Sequence, residues 1–536
     1  MARWSWLKRA WGGGAPAETA LWLGLTAAYL VPIWAFAYVP SEDGPSHLAN
    51  AAIISRYYDP AASTIRAFYL LKTTPVPNVL YHYLVAALMW PLPPLAAEKV
   101  ALSLYVVLFA VALRRLGAAA DGRAGPATLL ALPLAYSFTF HMGFFGWQLA
   151  LAGGTLGAAV FWRSSRGGLA AALLWNAVAV ALYFCHLLGF GLFLAAVTLM
   201  SWGRGAAAWR RARRAGAVGA PERRRLVAAL CWPLSLAPAA ALGVWYYLRW
   251  PGTIPTTRAP FGELFLRLAR MDILYSIFPW QRWLAAGVAA ALWGIAAVLV
   301  AARLVSWLRR RRRGGAGAWG GHAAFGAVFL ITLALYFALP NAGPAGGSYV
   351  HPRLATLPVL VVVAWLAAAA GPRLRRILYV VGPAVALVHL GGVTASYRLA
   401  NADLARFNAA RPLMAPGATF LPLVNRWLPG RGANVNYLAH AGGYYTLDGC
   451  GVDLLNYEAS WNYFPVAWRA GRPLVPVYEG DEGTPVYDLT GKYGRIDYVL
   501  GWEINPFTPG MRAILAHYDY VYGEGELIFF RRKAGP

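Results

Sequence analysis

Acidic residues are scarce in this chain, whose 536 residues include 22 Asp and Glu against 48 Lys and Arg. Only nine of these acids come before residue 401, and the other thirteen lie in the last 136 residues. The resulting formal charge of +26 is compatible with a nucleic-acid partner. However, the basic residues form short blocks between apolar runs, and the sequence has neither a nucleic-acid motif nor a continuous basic face. The composition therefore argues against nucleic acid as a partner.

Cysteine is also sparse, with three residues in the whole chain. Cys185 and Cys231 lie in apolar segments, and Cys450 stands alone near the C-terminus. We therefore expect neither a disulfide framework nor a cysteine-based zinc site.

Apolar sequence is abundant, since 59% of the residues are hydrophobic and 24 are Trp. Repeated apolar runs are long enough to cross a hydrocarbon core of about 30 Å. We therefore predict an α-helical polytopic membrane protein with about eleven transmembrane helices. The predicted spans are 21–39, 97–114, 125–141, 146–162, 168–185, 187–202, 226–248, 281–303, 322–339, 354–370 and 377–396.

One further apolar stretch, Val79 to Leu92, conflicts with the charge pattern. If it crossed the membrane fully, every later loop would invert and the Arg-rich blocks would face outward. We interpret it as a juxtamembrane or partly inserted helix that is ended by Pro91, Pro93 and Pro94.

The basic blocks predict the orientation, because short cytoplasmic loops carry an excess of Lys and Arg. The blocks lie at 114–123, 163–166, 210–225, 303–313 and 373–376. We expect them in the cytoplasm together with the N-terminus, which carries Arg3, Lys8 and Arg9. The outer face then collects the loops 39–78, 249–280 and 340–353, the turns at His141 and His186, and the C-terminal tail. We expect a multi-pass protein of a bacterial inner (plasma) membrane, in contact with membrane lipids.

The composition changes after about residue 400, where acids return and the apolar runs shorten. Strand-like pieces occur at Thr419–Val424, Tyr498–Gly501 and Leu527–Arg531. We predict a transmembrane domain over 1–399, with its first outer loop at 39–78, and a small extracytoplasmic α/β domain over 400–536.

An amphipathic helix is predicted in the long loop 249–280. Its apolar face consists of Phe261, Leu264, Phe265 and Leu268. The pattern is typical of a helix that lies in the membrane interface, and equally of a short connecting helix.

Two carboxylates, Glu42 and Asp43, follow the first span directly. A carboxylate at the mouth of a membrane cavity can take a proton from an acceptor hydroxyl or hold a divalent metal. Asp43 precedes a Gly-Pro turn that would hold it still. The alternative for each acid is capping of the helix that we predict from Ser46 to Tyr58. Asp43 is the stronger catalytic candidate, and Glu42 is the second.

Three histidines are candidates for substrate binding. His47 lies four residues after Asp43, so it can share a helix face with that acid as a hydrogen-bond partner, a metal ligand or a phosphate contact. The alternative for His47 is an ordinary interfacial histidine. His141 and His186 lie at predicted outer turns, and simple packing would also explain both.

The segment Ser348–Arg353 opens a predicted span. An Arg is unwelcome there unless it meets an anion or reaches the membrane surface. The guanidinium of Arg353 suits bidentate contact with a phosphate. Tyr349, His351 and Arg353 are therefore substrate-binding candidates, with interfacial anchoring as the alternative.

In their order along the chain, these features resemble the GT-C superfamily of polytopic membrane glycosyltransferases, and more narrowly glycosyltransferase family 39. The resemblance covers nearly the whole chain. It rests on the first span, the Glu42–Asp43 motif, the short segment Pro75–Asn78, the following spans, the segment Tyr349–Leu360 and the C-terminal domain.

The resemblance implies transfer of a sugar from a polyprenyl-phosphate donor to a lipid, glycan or protein acceptor on the extracytoplasmic face. Asp43 would activate the acceptor hydroxyl for in-line attack on the anomeric carbon, with inversion. Arg353 would steady the leaving phosphate. Glu42 and His47 would support Asp43, or would bind a divalent cation such as Mg²⁺ or Mn²⁺ together with it. The motif Glu-Asp-Gly-Pro-Ser-His differs from the patterns of protein O-mannosyltransferases and lipid A aminoarabinose transferases, so the sugar and the acceptor are not inherited from them.

Other functions remain open at this point. A transporter or flippase for lipid-linked glycans predicts charged residues buried in mid-span, and almost none are present. An assembly factor for polymer export would not need the acid pair. Another lipid-dependent transferase, for phosphate or acyl groups, also fits acids on the outer face. The tail segments 440–445, 456–458 and 464–465 form either an acceptor-facing surface or the aromatic packing of a small domain.

Overall fold

The computed structural model describes residues 16–122, 125–163, 168–216, 219–249, 255–312, 323–342, 347–424, 434–449, 451–472, 475, 492–507 and 509–534. Arg3, Lys8, Arg9 and Cys450 lie outside these residues, as do parts of the basic blocks at 163–166 and 303–313.

Helices dominate the chain up to residue 407. The α-helices are α1 (Pro16–Ala35), α2 (Gly44–Arg56), α3 (Ser63–Phe68), α4 (Leu80–Leu88), α5 (Pro94–Asp121), α6 (Phe138–His141), α7 (Phe145–Arg163), α8 (Leu169–Cys185), α9 (Leu187–Arg214), α10 (Ala220–Cys231), α11 (Ala237–Arg249), α12 (Phe261–Ala269), α13 (Gln281–Arg312), α14 (Ala323–Ala338), α15 (Val350–Leu354), α16 (Thr356–Ala369) and α17 (Pro372–Phe407).

Six helical segments among the described residues are long and apolar enough to cross a membrane. They are Pro94–Asp121, Leu187–Arg214, Ala220–Arg249, Gln281–Arg309, Val350–Ala369 and Pro372–Leu413. Shorter apolar helices occur at Leu169–Cys185 and Ala324–Ala338. Each of the predicted spans falls on a helical segment, and the chain is a multi-pass membrane protein with an α-helical fold, as predicted.

The span predicted at 125–141 departs from a regular α-helix. Pro126–Tyr136 forms a 3₁₀-helix, and the four-residue helix α6 follows it. Pro133 lies inside the segment and has no N–H group to donate, which weakens an α-helical hydrogen-bond ladder. A 3₁₀-helix rises about 2.0 Å per residue, so these eleven residues still extend roughly 22 Å. The segment is buried along its whole length and packs against α5, α16 and α17, which shield its backbone from lipid.

The stretch Val79–Leu92 contains the nine-residue helix α4. At 1.5 Å per residue it extends only about 14 Å, which is less than half of a hydrocarbon core. The prediction that this stretch does not span the membrane as a complete helix agrees with that length. Its buried face carries Tyr81, His82 and Val85, and the helix packs on α2 and α5.

The C-terminal region forms a five-stranded sheet in the order β3-β2-β5-β7-β6. Its strands are β2 (Thr419–Val424), β3 (Val452–Asp453), β5 (Tyr498–Trp502), β6 (Tyr518–Glu524) and β7 (Leu527–Arg532), with helix α18 (Pro509–Leu515) beside them. Parallel pairs join β2 to β3 and β5, and antiparallel pairs join β7 to β5 and β6. Pro422 is tolerated in β2 because β3 pairs only with Thr419 and Phe420, which leaves that edge free at Pro422. The predicted small α/β domain is present.

The first outer loop folds together with this C-terminal region. Strand β1 (Tyr69–Leu71) of the loop pairs antiparallel with β4 (Val466–Trp468), and Tyr69 stacks on Trp468. Ile53 and Ile65 from the loop share a hydrophobic core with the sheet. The predicted boundary at residue 400 falls inside α17, which continues to Phe407. The loop and the tail thus form one packed unit at the end of the helix bundle.

The amphipathic helix predicted in the long loop is α12. Leu264 and Leu268 are buried, whereas Phe261 and Phe265 are exposed. Half of the predicted apolar face is therefore buried in the protein. The exposed half fits a helix in the membrane interface, and the buried half fits a short connecting helix.

Candidate active site

The acidic motif is held in place by the turn between α6 and α7. The Glu42 N–H donates to the His141 carbonyl at 2.8 Å, and the Asp43 N–H donates to the Met142 carbonyl at 3.1 Å. Gly143 follows with a φ of 85°, and a Cβ atom there would lie 2.8 Å from the Asp43 Cβ. The close approach requires glycine at this position, because both the backbone angle and the available space exclude a side chain.

Asp43 occupies the N-cap position of α2, but its side chain makes no capping hydrogen bond. Pro45 in the first turn fits the start of a helix, because its missing N–H would have no partner there. Asp43 therefore occupies the position of a capping residue, whereas its carboxylate makes no capping contact. It is available for chemistry.

The surroundings of Asp43 shift its proton affinity. Its side chain is 15% exposed, and His440 Nε2 lies 3.6 Å from its Oδ1. Burial raises the pKa of Asp43 and Glu42 raises it further, whereas His47 and a hydrogen bond from Tyr457 lower it. The net result is a pKa well above the usual range of an aspartate. A carboxylate of raised pKa is a stronger base when it is ionised, which suits proton abstraction from a hydroxyl near neutral pH.

Glu42 points to the C-terminal region. Its Oε2 accepts a hydrogen bond from the backbone N–H of Asn436 at 3.0 Å. The two neighbouring acids therefore have different roles in the structure. Glu42 ties the loop to the tail, and Asp43 lies beside His440.

A buried triad of two histidines and one glutamate lies one helical turn after Asp43. His47 Nδ1 is 2.6 Å from Glu458 Oε1, and His82 Nε2 is 2.7 Å from Glu458 Oε2. The exposed fractions of the His47, His82 and Glu458 side chains are 8%, 2% and 0%. The three residues come from α2, α4 and the tail, so the triad joins all three segments.

Charge inside the triad is strongly coupled. Burial lowers the pKa of His47, but Glu458, Asp43 and the Gly143 carbonyl together outweigh it, and the net shift is upward. Burial raises the pKa of Glu458, but the two imidazoles outweigh this effect and hold the pKa well below its usual range. The three side chains are candidate ligands for a metal ion, since their ligand atoms all lie within 4.8 Å of one another.

Arg353 supplies the positive charge of the site. It lies in α15 with its guanidinium 4.2 Å from the ring centre of Phe144, directly after the turn that holds Asp43. It also donates to the Ser348 carbonyl, and it interacts electrostatically with Asp43. Tyr349, at a φ of 55°, places its ring 5.6 Å from the same Phe144 ring. The structure therefore brings Arg353 and Tyr349 to the Asp43 turn.

The other predicted histidines occupy separate positions. His141 is fully buried, with its Nδ1 2.9 Å from the Ser276 hydroxyl. His186 caps α9 by accepting from the Leu188 N–H at 3.2 Å, and it interacts electrostatically with Arg353. His351 Nε2 contacts the Leu339 carbonyl at 2.8 Å. His141 and His351 thus make structural hydrogen bonds, whereas His186 is near Arg353.

Sequence reasoning did not single out His82 or Gly143, and it named His440 and Glu458 only within tail segments. His82 lies on a helix whose apolar pattern suggested only membrane contact. Glu458 is 376 residues from His82, and no local pattern links them. Of the metal ligands considered from sequence, the described cluster contains His47 but neither Asp43 nor Glu42.

Taken together, the helical bundle, the acid-bearing first loop and the packed α/β tail define a polytopic membrane protein with a C-terminal α/β unit. The sequence matches no family model and no curated relative. The fold is similar to the crystal structure of ArnT from Cupriavidus metallidurans bound to undecaprenyl phosphate, with a TM-score of 0.50 and 12% identity over 98% of this chain and 100% of that chain. The apo structure of the same protein aligns with a TM-score of 0.45 and 12% identity, over 97% of this chain and 99% of that one.

Proposed function

We propose that this protein is a membrane glycosyltransferase that moves a sugar from a polyprenyl-phosphate donor to an acceptor hydroxyl on the extracytoplasmic face. The observation that carries the proposal is a largely buried aspartate of raised pKa, free of capping contacts, that interacts electrostatically with an arginine at one end of a GT-C-like bundle. The solved structure with this fold has undecaprenyl phosphate bound, which supports a polyprenyl phosphate as the lipid partner.

In the proposed reaction, Asp43 takes the proton from the acceptor hydroxyl. The acceptor oxygen attacks the anomeric carbon, the bond from that carbon to the phosphate oxygen breaks, and polyprenyl phosphate leaves with the electron pair. Arg353 stabilises the negative charge on the leaving phosphate by charge-assisted hydrogen bonds. Attack from the side opposite the leaving group inverts the anomeric configuration.

The location of the site supports an outer-face reaction. Asp43 lies in the loop after α1, and the positive-inside distribution of the Arg blocks predicts that this loop faces away from the cytoplasm. On this basis the N-terminus is cytoplasmic, the tail is extracytoplasmic and the bacterial inner membrane is the site of action. The tail borders the acid through His440 and Tyr457, so it is the region that we expect to contact the acceptor.

The test is sugar transfer by the purified full-length protein, with a panel of radiolabelled polyprenyl-phosphate sugars as donors and membrane extract as acceptor. Asp43→Asn should reduce transfer by roughly 10²- to 10⁴-fold, the usual contribution of a general base. Asp59→Asn is the matched control, because Asp59 is an exposed acid of the same loop outside the site.

Melting temperatures of the wild type and both variants would show that folding is matched. Equal transfer by the wild type and Asp43→Asn would remove Asp43 from catalysis. Absence of transfer with every donor would contradict the glycosyltransferase assignment.

A further inference from the structure

The triad of His47, His82 and Glu458 contains more hydrogen-bond acceptors than its protons can serve. His47 Nε2 lies 2.9 Å from the Gly143 carbonyl, which only accepts, so this nitrogen must carry a proton. The other ring nitrogen, Nδ1, then points its lone pair at the Glu458 carboxylate unless the ring is doubly protonated. A cation of some kind is required between these atoms.

The contact between His47 and Glu458 is close, yet it lacks hydrogen-bond geometry. Among the described residues, neither His47 Nδ1 nor Glu458 Oε1 has a hydrogen-bond partner, although the two atoms are 2.6 Å apart. Both side chains are more than nine-tenths buried, so bulk solvent does not compensate them. Unsatisfied buried polar atoms are costly and call for a specific explanation.

The donor set indicates which cation fits. Two imidazole nitrogens and a carboxylate are the ligands of a transition-metal site such as Zn²⁺ with one open position, whereas Mg²⁺ prefers oxygen ligands alone. The Nε2–H of His47 donates to a backbone carbonyl, which is the usual second contact of a metal-bound histidine. Metal–ligand distances of about 2.0–2.1 Å in a tetrahedral site need the nitrogen–oxygen contacts to widen by roughly 0.7 Å, a change within reach of small side-chain rotations.

We propose that His47, His82 and Glu458 bind one divalent transition-metal ion, with Zn²⁺ as the best-matched probe. The ion joins α2, α4 and the tail, because each of these segments supplies one ligand. Since His47 lies one turn after Asp43 and its N–H donates to the Asp43 carbonyl at 3.0 Å, the ion also fixes the start of the helix that presents Asp43. This proposal concerns metal binding and stands apart from the proposed sugar transfer.

The experiment measures zinc content by inductively coupled plasma mass spectrometry. The full-length protein is purified in detergent, stripped with EDTA, incubated with ZnCl₂ and freed of excess metal. We expect about one zinc per wild-type chain, and at least a tenfold lower content in Glu458→Gln and in His82→Gln, because a site that loses one of three ligands holds Zn²⁺ poorly. His517→Gln is the matched control, since His517 is exposed and lies in the same C-terminal region, and it should keep the wild-type content.

Asp43→Asn provides a second control, because it retains all three ligands and should still bind zinc. X-ray absorption of the loaded wild type should show only nitrogen and oxygen ligands at about 2.0–2.1 Å. Wild-type zinc content no higher than that of Glu458→Gln would overturn the site and leave a doubly protonated His47 as the cation. Zinc binding without sugar transfer would overturn only the proposed function, and sugar transfer by zinc-free protein that cannot be loaded would overturn only the metal site.

Discussion

The two ends of the helix bundle treat their charged residues differently. Glu18 lies at the start of α1, and the Asp43 loop follows the end of the same helix, so the two acids mark opposite ends. At the Glu18 end, Tyr379 donates to Glu18 at 3.2 Å, and the pair Arg375–Asp121 joins α17 to α5 at 2.5 Å. The side chains of that pair are 27% and 21% exposed.

At the Asp43 end, the triad of titratable groups is more deeply buried than the Arg375–Asp121 pair, with side chains at most 8% exposed. His47, His82 and Glu458 converge there, and Arg353 interacts with Asp43 from a fourth segment. Buried charge is expensive and contributes little to stability by itself. At the Glu18 end, charged residues connect helices. At the Asp43 end, buried titratable residues lie together, which is typical of a functional site.

The largest difference between the two ends is expected when one glycine at each end is replaced by alanine. Gly143→Ala should reduce sugar transfer by roughly 100-fold, because the new Cβ displaces the Asp43 backbone and misplacement by about 1 Å can cost that much. Gly24→Ala, in a helix position with open space on the Glu18 side, should leave transfer unchanged and stabilise the protein by ~0.5–1 kcal/mol. Initial rates and melting temperatures of both variants test this. Full activity of Gly143→Ala would show that the turn does not position Asp43.

Replacing one arginine at each end by lysine tests the same difference between the two ends. Arg353→Lys keeps the charge but loses the planar fork, and one lost charge-assisted hydrogen bond costs about 1.5–3 kcal/mol, or roughly 10- to 100-fold in kcat/KM for the donor. Arg375→Lys, in the partly exposed pair with Asp121, should change kcat/KM less than about twofold. Steady-state kinetics with varied donor decide this. Equal effects at the two positions would count against a phosphate contact at Arg353.

Asp453, a buried acid of the unit formed by the first loop and the tail, should make the stability of the protein depend on pH. Burial raises its pKa from 3.8 to about 7. The folded state therefore binds more protons than the unfolded state between these values, and stability from this group falls as the pH rises through that window. Asp453→Asn should raise the melting temperature by a few degrees at pH 8, and by much less at pH 4. The same increase at both pH values would exclude this cause.

The smallest effect is expected at the Glu18 end. Asp121→Asn removes a partly exposed ion pair, which is worth at most about 1 kcal/mol. The melting temperature should fall by no more than ~2–4 °C for a chain of this size, and sugar transfer should stay at the wild-type level. A loss of transfer comparable to that of Asp43→Asn would erase the contrast between the two ends.

Much of the fold follows from local sequence patterns. The strands Thr419–Val424, Tyr498–Trp502 and Leu527–Arg532 were predictable because apolar, β-prone runs stand between turn residues. A helix after the acid pair was predicted from Ser46 to Tyr58, and α2 begins two residues earlier, at Gly44, because Pro45 fits the first turn of a helix. The 3₁₀-helix at 126–136 was not, because the same apolar composition suits any buried helix and the neighbouring helices decide its form.

The site was predictable only in part. Asp43 and Glu42 were identified because acids are rare in the first 400 residues, and Arg353 because a charge at the start of a span needs a reason. The pairing of β1 with β4 joins segments about 400 residues apart, and it is this pairing that brings Glu458 near His47 and His82. Contacts of such range leave no periodic signal in one sequence, so the triad required the structure.

The most direct test of the central claim is the fate of the lipid in proteoliposomes that contain the full-length protein and a doubly labelled polyprenyl-phosphate sugar. We predict one polyprenyl phosphate released for each sugar transferred by the wild type, and no release by Asp43→Asn. Movement of the intact donor across the bilayer without cleavage, or equal release by the two proteins, would contradict the account.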